Sequence, residues 1–266
     1  MRWYNPFMSG RERVYRTEGV VLRRQDLGEA DRLTTIYSRD YGKLRLVAKG
    51  VRRPRSRKAG HLEPFTRVAL LIARGRELDI ITQVETLKDY SGFRKNLDLL
   101  SQASYLVELL DHFTFEDGEG NQTQYQLLLN SFDRLAQNKV DPHAVILYFE
   151  LQLLDLVGYR PELFRCVECG SEIRPEDQYF SSQRGGILCP ACGRNRRQLH
   201  SITLPELKLL RHYQRSDFET ASTPKVSIEL FLDVDRLMER YFNYLLERQL
   251  NVPTFIRRLK HLPQEG

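Results

Sequence analysis

No window of this 266-residue chain approaches the roughly 18 consecutive apolar residues that a membrane-crossing helix needs, so a helical membrane protein is excluded. Residues 1–13 contain no apolar run of the kind a secretory signal carries, and the expected compartment is the cytoplasm. That same stretch has no helical or strand period and is expected to be a disordered extension holding the single tryptophan, Trp3. Missing too are a glycine-rich lysine motif for phosphates, a zinc-protease histidine pair and a nucleophile elbow. The six histidines are scattered, so neither an enzyme nor a small-molecule substrate is expected.

A more local absence is of acid: none lies between Asp40 and Glu63. Within that gap, six of the ten residues from Lys49 to Lys58 are basic: Lys49, Arg52, Arg53, Arg55, Arg57 and Lys58. Like charges at this density repel one another and cannot join a core, so the run is either solvated, a localisation tag or matched by a polyanion. Nucleic acid is the leading partner, and these six residues are the candidate contacts. Residues 11–60 hold 15 Lys and Arg against 6 Asp and Glu, a net of +9, whereas residues 89–160 hold 5 against 11, a net of −6. The overall +6 therefore conceals two regions of opposite sign, which with the length predicts about two domains.

Between Val14 and Lys88 short β-like runs alternate with turn residues. Five strands are predicted: 14–24, 32–39 with alternating Leu33, Thr35 and Tyr37, 43–49 with Leu44, Leu46 and Ala48, 66–73 and 78–87. Gly42 suits the positive φ of a tight hairpin turn, and Gly75 is assigned similar work between the last two strands. Five strands in this length predict a small barrel of the OB type over 14–88, with the basic run on the connection between the third and fourth strands. Pro54 keeps that connection from pairing as a central strand.

After Asp89 the period becomes helical, giving a mostly α-helical domain over 89–266. Leu97, Leu100, Ser104, Val107 and Leu110 line a first helix; Leu127, Leu128, Phe132 and Leu135 line a second. Asp141 and Pro142 cap a third, which runs through Ile146, Phe149, Leu153 and Leu156 to Gly158. Further helices are predicted over 204–215, 227–250 and 253–262, with Ile228, Phe231, Met238, Phe242 and Leu245 on one side of the second. Aromatics on these stripes, such as Phe149 and Phe242, read as core.

An insert over 165–197 contains every cysteine, as Cys166-Val-Glu-Cys169 and Cys189-Pro-Ala-Cys192, nineteen residues apart. Two residues between thiolates let both sulfurs of a pair reach one ion, and Gly170 and Gly193 supply the tight backbone such a knuckle needs. Disulfides fit a cytoplasmic chain poorly, and a redox dithiol would leave one pair idle. One structural Zn²⁺ is expected, since four thiolates close the tetrahedron and leave no position for a reactive water. Nearby Arg165, Arg184, Arg194, Arg196 and Arg197 would offset the site's negative charge or touch nucleic acid.

The order of these parts resembles the RecO family of bacterial DNA repair proteins. The likeness is carried by Gly19-Val-Val-Leu-Arg-Arg, Gly28-Glu-Ala-Asp-Arg-Leu, Tyr41-Gly-Lys-Leu, Ala48-Lys-Gly-Val-Arg-Arg-Pro-Arg-Ser-Arg, Tyr105-Leu-Val-Glu-Leu-Leu, the segment from Phe149 to Leu163, and the cysteine quartet with Gly185-Gly186. It spans about residues 14–215, and because some members lack the cysteines the quartet marks a metal-binding branch. The resemblance implies a nucleoid-associated recombination mediator that binds single- and double-stranded DNA, anneals complementary strands and helps load the recombinase onto DNA coated with single-strand-binding protein. It implies RecR as a partner and, in some bacteria, RecF. The partly apolar, basic stretch Arg248–Lys260 is a candidate seat for the acidic C-terminal tail of the single-strand-binding protein.

If all six charges of the run met phosphates of one strand, log affinity would fall with log salt at a slope of about −4. Tyr37, Tyr41 and Phe65 are candidates to stack on bases, and each reads equally well as core. Two other classes stay open: a zinc-containing RNA- or ribosome-associated protein, and a nuclease using Asp233 and Asp235, acids that also read as plain surface.

Overall fold

Alternating aliphatic residues cut by glycine turns form β1 (Val14–Leu27), β2 (Asp31–Ser38), β3 (Gly42–Ala48), β4 (Arg67–Ala73) and β5 (Asp79–Lys88). The computed structural model of the chain describes residues 13–116, 122–194, 196 and 198–253. The strands close into a barrel in the order β1-β2-β3-β5-β4, every neighbour antiparallel except the pair β3 and β5. This is the expected OB-like barrel, with strand ends within three residues of those read from the sequence. Of the expected N-terminal extension, residues 1–12 lie outside the described residues.

The interior is filled by Tyr15, Val21, Ile36, Leu46, Val68, Leu70, Ile72 and Ile81, among others. Strand β4 alternates strictly, with Val68, Leu70 and Ile72 inward. In β3, Leu46 and Ala48 point in and Leu44 packs against them, as expected. Strand β2 departs from expectation. Its core residue is Ile36, paired with Leu44, so the alternating set Leu33, Thr35 and Tyr37 lies on the opposite face. Thr34 and Ser38 accompany Ile36 inward and are buried, and two small polar residues on the core side hide the true parity.

Two glycines do different work from one another. Gly42 has φ 63° in the β2–β3 turn, the expected left-handed conformation. Gly75 has no positive φ; a Cβ there would lie 1.9 Å from the Leu78 carbonyl oxygen, so the constraint is space.

The chain divides into two compact units, one of Met1–Ser91 with Thr114–Tyr125, the other of Gly92–Phe113 with Gln126–Gly266. In the first unit, Glu116 bridges to Lys43, and the buried Tyr37 hydroxyl donates to Gln124 at the start of α2 (Gln122–Gln137). The second unit is built from α1 (Leu97–Phe113), the remainder of α2, α3 (Pro142–Leu156), α5 (Leu204–Arg215), α6 (Phe218–Ala221) and α7 (Ile228–Leu245), with the short α4 (Pro190–Gly193) in the insert.

Helix α3 is its centre, touching α1, α5, α6 and α7. A helix apolar on all sides belongs in such a place. Its start matches expectation: the Asp141 carboxylate accepts from the His143 N–H at 2.9 Å, with Pro142 at the first position. Helix α5 opens on a capping box between Thr203 and Glu206. Helix α7 ends earlier than the predicted 250, because the Leu246 N–H turns back to Phe242 and Tyr244 and Glu247 takes φ 52°. Leu97 and Ile228, placed on core stripes by their spacing, are both exposed at helix starts. The helix expected over 253–262 lies outside the described residues beyond Pro253.

Strands β6 (Gln178–Ser181) and β7 (Gly186–Leu188) of the insert and β8 (His200–Ile202) just after it form a sheet in the order β7-β6-β8 that three- and four-residue runs do not announce. The β2 register has a direct consequence for stability. Ile36→Ala is expected to cost about 2–4 kcal/mol and Leu33→Ala under about 1 kcal/mol in denaturant unfolding of the full chain. The reverse order would return β2 to the parity first read from its sequence.

Candidate functional site

The chain leaves β3 at Ala48 and reaches β4 at Arg67 through the basic run. Two apolar residues nail this connection to the barrel interior: Val51 and Leu62 are both fully buried, Leu62 closing a short 3-10 turn over Ala59–Leu62. Polar bonds fix it further. The Gly50 N–H, at φ 64°, donates to Asp31 at 2.7 Å, and the Arg52 N–H donates to the Ala30 carbonyl at 2.9 Å. The loop is therefore held at both ends.

The six cations do not share one role. Arg52 is tied to the β1–β2 turn, donating to the Gly28 carbonyl at 2.8 Å and standing 3.4 Å from Asp26. Lys58 is half-buried, its ammonium donating to the Ile81 carbonyl at 3.2 Å, and burial lowers its pKa. Lys49, Arg53, Arg55 and Arg57 are exposed and have no ion-pair partner among the described residues. Pro54, between them, is exposed as well.

A second basic feature was not apparent from charge counting. On the outer face of β1–β2–β3, Thr35 lies between Arg23 of β1 and Arg45 of β3 in the strand registers. With Arg24, Gln25 and Leu33 they line a shallow groove of about 250 Å³. Arg45 stands 3.5 Å from Glu116, both largely exposed. Only the parity of β2 reveals this face in the sequence. Of the three stacking candidates, Tyr37 and Phe65 are core, at 1% and 4% exposure, and Tyr41 alone reaches solvent, packed edge-on against Tyr15.

In the insert, the four cysteines converge: their sulfurs lie within 4.8 Å of one another, close enough for one metal ion. No other such group exists among the described His, Cys, Asp and Glu. The local backbone serves the first pair as expected, with Gly170 at φ 72° and its N–H returning to the Cys166 carbonyl at 2.8 Å. Gly193 works by space instead: a Cβ there would lie 2.2 Å from the Tyr179 ring. The Cys189 N–H points at the Cys166 sulfur at 3.4 Å.

The electrostatics also favour a cation. A hydrogen bond from the Ser171 hydroxyl, with its N–H, pulls the Cys169 thiol down to about 6. Its neighbours Cys189 and Cys169 push Cys192 up to about 12, because clustered sulfurs cannot all shed protons without a counter-charge. Arg184 and Arg196 converge on Glu168, at 2.7 and 2.9 Å, and are not directed at the sulfurs alone. Arg197 lies outside the described residues.

Asp233 and Asp235 diverge. The first pairs with Arg236 at the surface; the second is partly buried and bonds the His143 ring at 2.6 Å. Of the tail-binding candidate at 248–260, Arg248 contacts His112, and residues from 254 onward lie outside the described set. No described helix is long and apolar enough to cross a membrane.

The fold and site define a two-part protein: an OB-like barrel carrying a pinned cationic loop, and a helical unit carrying a four-cysteine cluster. The chain matches the family models for the N-terminal part of recombination protein O over residues 8–90 and for its C-terminal part over residues 94–253. It is 38% identical to the DNA repair protein RecO of Roseiflexus sp. over 90% of this chain and 83% of that one, and 35% identical to that of Desulforamulus reducens over 93% and 95%. A third relative, the DNA repair protein RecO of Bifidobacterium adolescentis, is 35% identical over 89% of this chain and 96% of its own. The chain belongs to the RecO family.

Gly193→Ala forces the Tyr179 ring to move and is expected to cost about 1–3 kcal/mol, a fall of several degrees in melting temperature. Gly60→Ala, where no atom lies within 4 Å, serves as the neutral control.

Proposed function

We propose that this protein is a non-enzymatic recombination mediator in DNA repair: it holds single- and double-stranded DNA by the phosphate backbone, anneals complementary strands and helps load the recombinase onto DNA coated with single-strand-binding protein. The family and the names of its relatives support the repair role. The observation that carries the binding reading is the quartet Lys49, Arg53, Arg55 and Arg57, exposed and without ion-pair partners among the described residues, on a loop fixed by Val51 and Leu62. Cations whose backbone is already ordered lose less freedom when a phosphate arrives. They also lower the mutual repulsion of two strands brought together for pairing.

From the loop, a strand would run across the outer face of β1–β2–β3, between Arg23 and Arg45, with Tyr41 the one of the three stacking candidates that reaches solvent. Contacts of this kind read backbone and not base edges, so little sequence preference follows. RecR, the acidic tail of the single-strand-binding protein and, in bacteria that have it, RecF enter as partners on the family likeness. Cys166, Cys169, Cys189 and Cys192 would hold one Zn²⁺; when bound it supplies fold stability and no chemistry, because a four-sulfur shell is closed.

Four phosphate contacts on a single strand give a salt slope of about −3, a loss of about 50-fold in affinity between 50 and 200 mM salt. Reversing Arg53, Arg55 and Arg57 to Glu is expected to weaken strand binding at least tenfold and flatten the slope to near −1, while Arg52→Gln has a smaller effect. An unchanged slope would remove the loop as the main contact, and equal competition by RNA would turn the reading toward an RNA-binding protein.

Metal analysis is expected to find one zinc per chain. Chelation should lower the melting temperature by about 5 °C or more and expose the Val167 and Ile187 amides to exchange, leaving the salt slope of DNA binding intact.

A further inference from the structure

Helix α3 carries two carboxylates, Asp155 at its exposed end and Glu150 in its buried middle, the latter only 2% exposed. Its Oε1 accepts from the Tyr105 hydroxyl of α1 at 2.5 Å; its Oε2 is buried and has no hydrogen-bond partner in the protein. Glu150 lines a pocket of about 730 Å³ between α1, α3 and α7. Two more buried oxygens without partners belong to residues lining the same pocket: Gln102 Oε1 on α1 and Asp235 Oδ1 on α7. A buried polar atom left unpaired costs about 1–3 kcal/mol, more when charged, so three lining one pocket mark it as a place for a polar ligand.

Gln102 Oε1 and Asp235 Oδ1 only accept, and Glu150 Oε2 accepts whenever the carboxyl is ionised, so what satisfies the three together is a donor. Asp98 and Glu239 also line the pocket and add negative charge. His143 and Arg236 also line the pocket, but His143 bonds the other oxygen of Asp235 at 2.6 Å and Arg236 pairs with Asp233. Burial first, then the nearness of Asp235, raises the Glu150 carboxyl well above its ordinary range, the response of a carboxylate that lacks a counter-charge. A bare metal ion is a poor fit, because these acids do not come close enough together to share one. Leu99, Ile146 and Leu232 supply apolar wall between the oxygens. Separated acceptors with hydrocarbon between them match a donor that is itself charged at points and apolar in between.

We propose that this pocket binds an organic ammonium ion on an alkyl stem, its N–H groups donating to Glu150 Oε2, Gln102 Oε1 and Asp235 Oδ1. A free polyamine and a lysine side chain present the same chemistry. The site is a second, cation-recognising surface, separate from the one that takes phosphate and needing none of its residues.

The test uses the full chain at 150 mM salt, titrated calorimetrically with spermidine, putrescine and Nα-acetyl-lysine amide, with magnesium chloride as the control for bare charge. Spermidine is expected to bind saturably at one site. Glu150→Gln keeps the acceptor for Tyr105 and removes the charge, so affinity should fall at least tenfold; Leu99→Trp should block the pocket by volume while leaving every carboxylate in place. Binding of the lysine amide as tight as that of spermidine would assign the site to a partner's side chain, and preference for spermidine would assign it to the free amine. Spermidine affinity unchanged in both variants, each with a native melting temperature, or equal displacement by magnesium, would overturn the proposal.

Discussion

The barrel closes through a parallel contact only two residue pairs long, Leu46 with Asp79 and Val47 with Ile80. Everything about the candidate DNA surface depends on it. Because β5 takes the place beside β3, strand β4 is displaced to the far side of β5, and the chain leaving Ala48 has to cross the end of the barrel to reach Arg67. A crossing of that length is too long for a hairpin turn and too exposed to be paired, so it is the one segment of the barrel in which a run of like charges costs no core packing. Val51 and Leu62 convert it from a tether into a fixed projection. Cation density and loop order then have a single origin, the topology.

The insert solves a different problem by a related device. Three strands of three or four residues cannot bury enough surface to be stable alone. Four sulfurs lying within 4.8 Å of one another bring Cys166 and Cys169 beside Cys189 and Cys192, so a metal ion held there would close the chain over β6 and β7. Gly186 and Gly193 mark the closeness of that closure, since a Cβ at either would stand under 3 Å from a neighbouring atom. The arginines beside the cluster, Arg184 and Arg196, are drawn to Glu168 and so are already paired within the insert.

Much of this was legible in the sequence for reasons of period and spacing. Strict alternation in β4, the Asp141-Pro142 start of α3 and the paired cysteines each impose one conformation, and each formed as read. What failed had a common cause, which is that hydrophobicity alone was asked to fix a direction. Thr34 and Ser38 are polar yet buried alongside Ile36, so the alternation of Leu33, Thr35 and Tyr37 traces the opposite face, where Tyr37 is buried all the same; Leu97 and Ile228 are apolar yet exposed at helix starts. Glycines misled in the same way, because a sequence does not distinguish the residue needed for positive φ, as Gly42, from the one needed for space, as Gly75.

Glu150 is the instructive case. In Val-Ile-Leu-Tyr-Phe-Glu-Leu-Gln-Leu-Leu a single acid among apolar neighbours on a central helix breaks the rule that buried charge is paired, and a fold keeps such a residue only at a cost in stability. Structural use alone would favour glutamine, which would still accept from Tyr105 without the charge. The persistence of an ionisable oxygen aimed into a cavity, with Gln102 and Asp235 equally unsatisfied beside it, is hard to reconcile with packing as the only demand on this helix. The acids of the pocket are drawn from both ends of the helical unit, Asp98 and Glu150 from α1 and α3, Asp235 and Glu239 from α7. On the proposed readings, the helical unit would offer a recognition chemistry opposite in sign to that of the barrel, and the two would share no side chains.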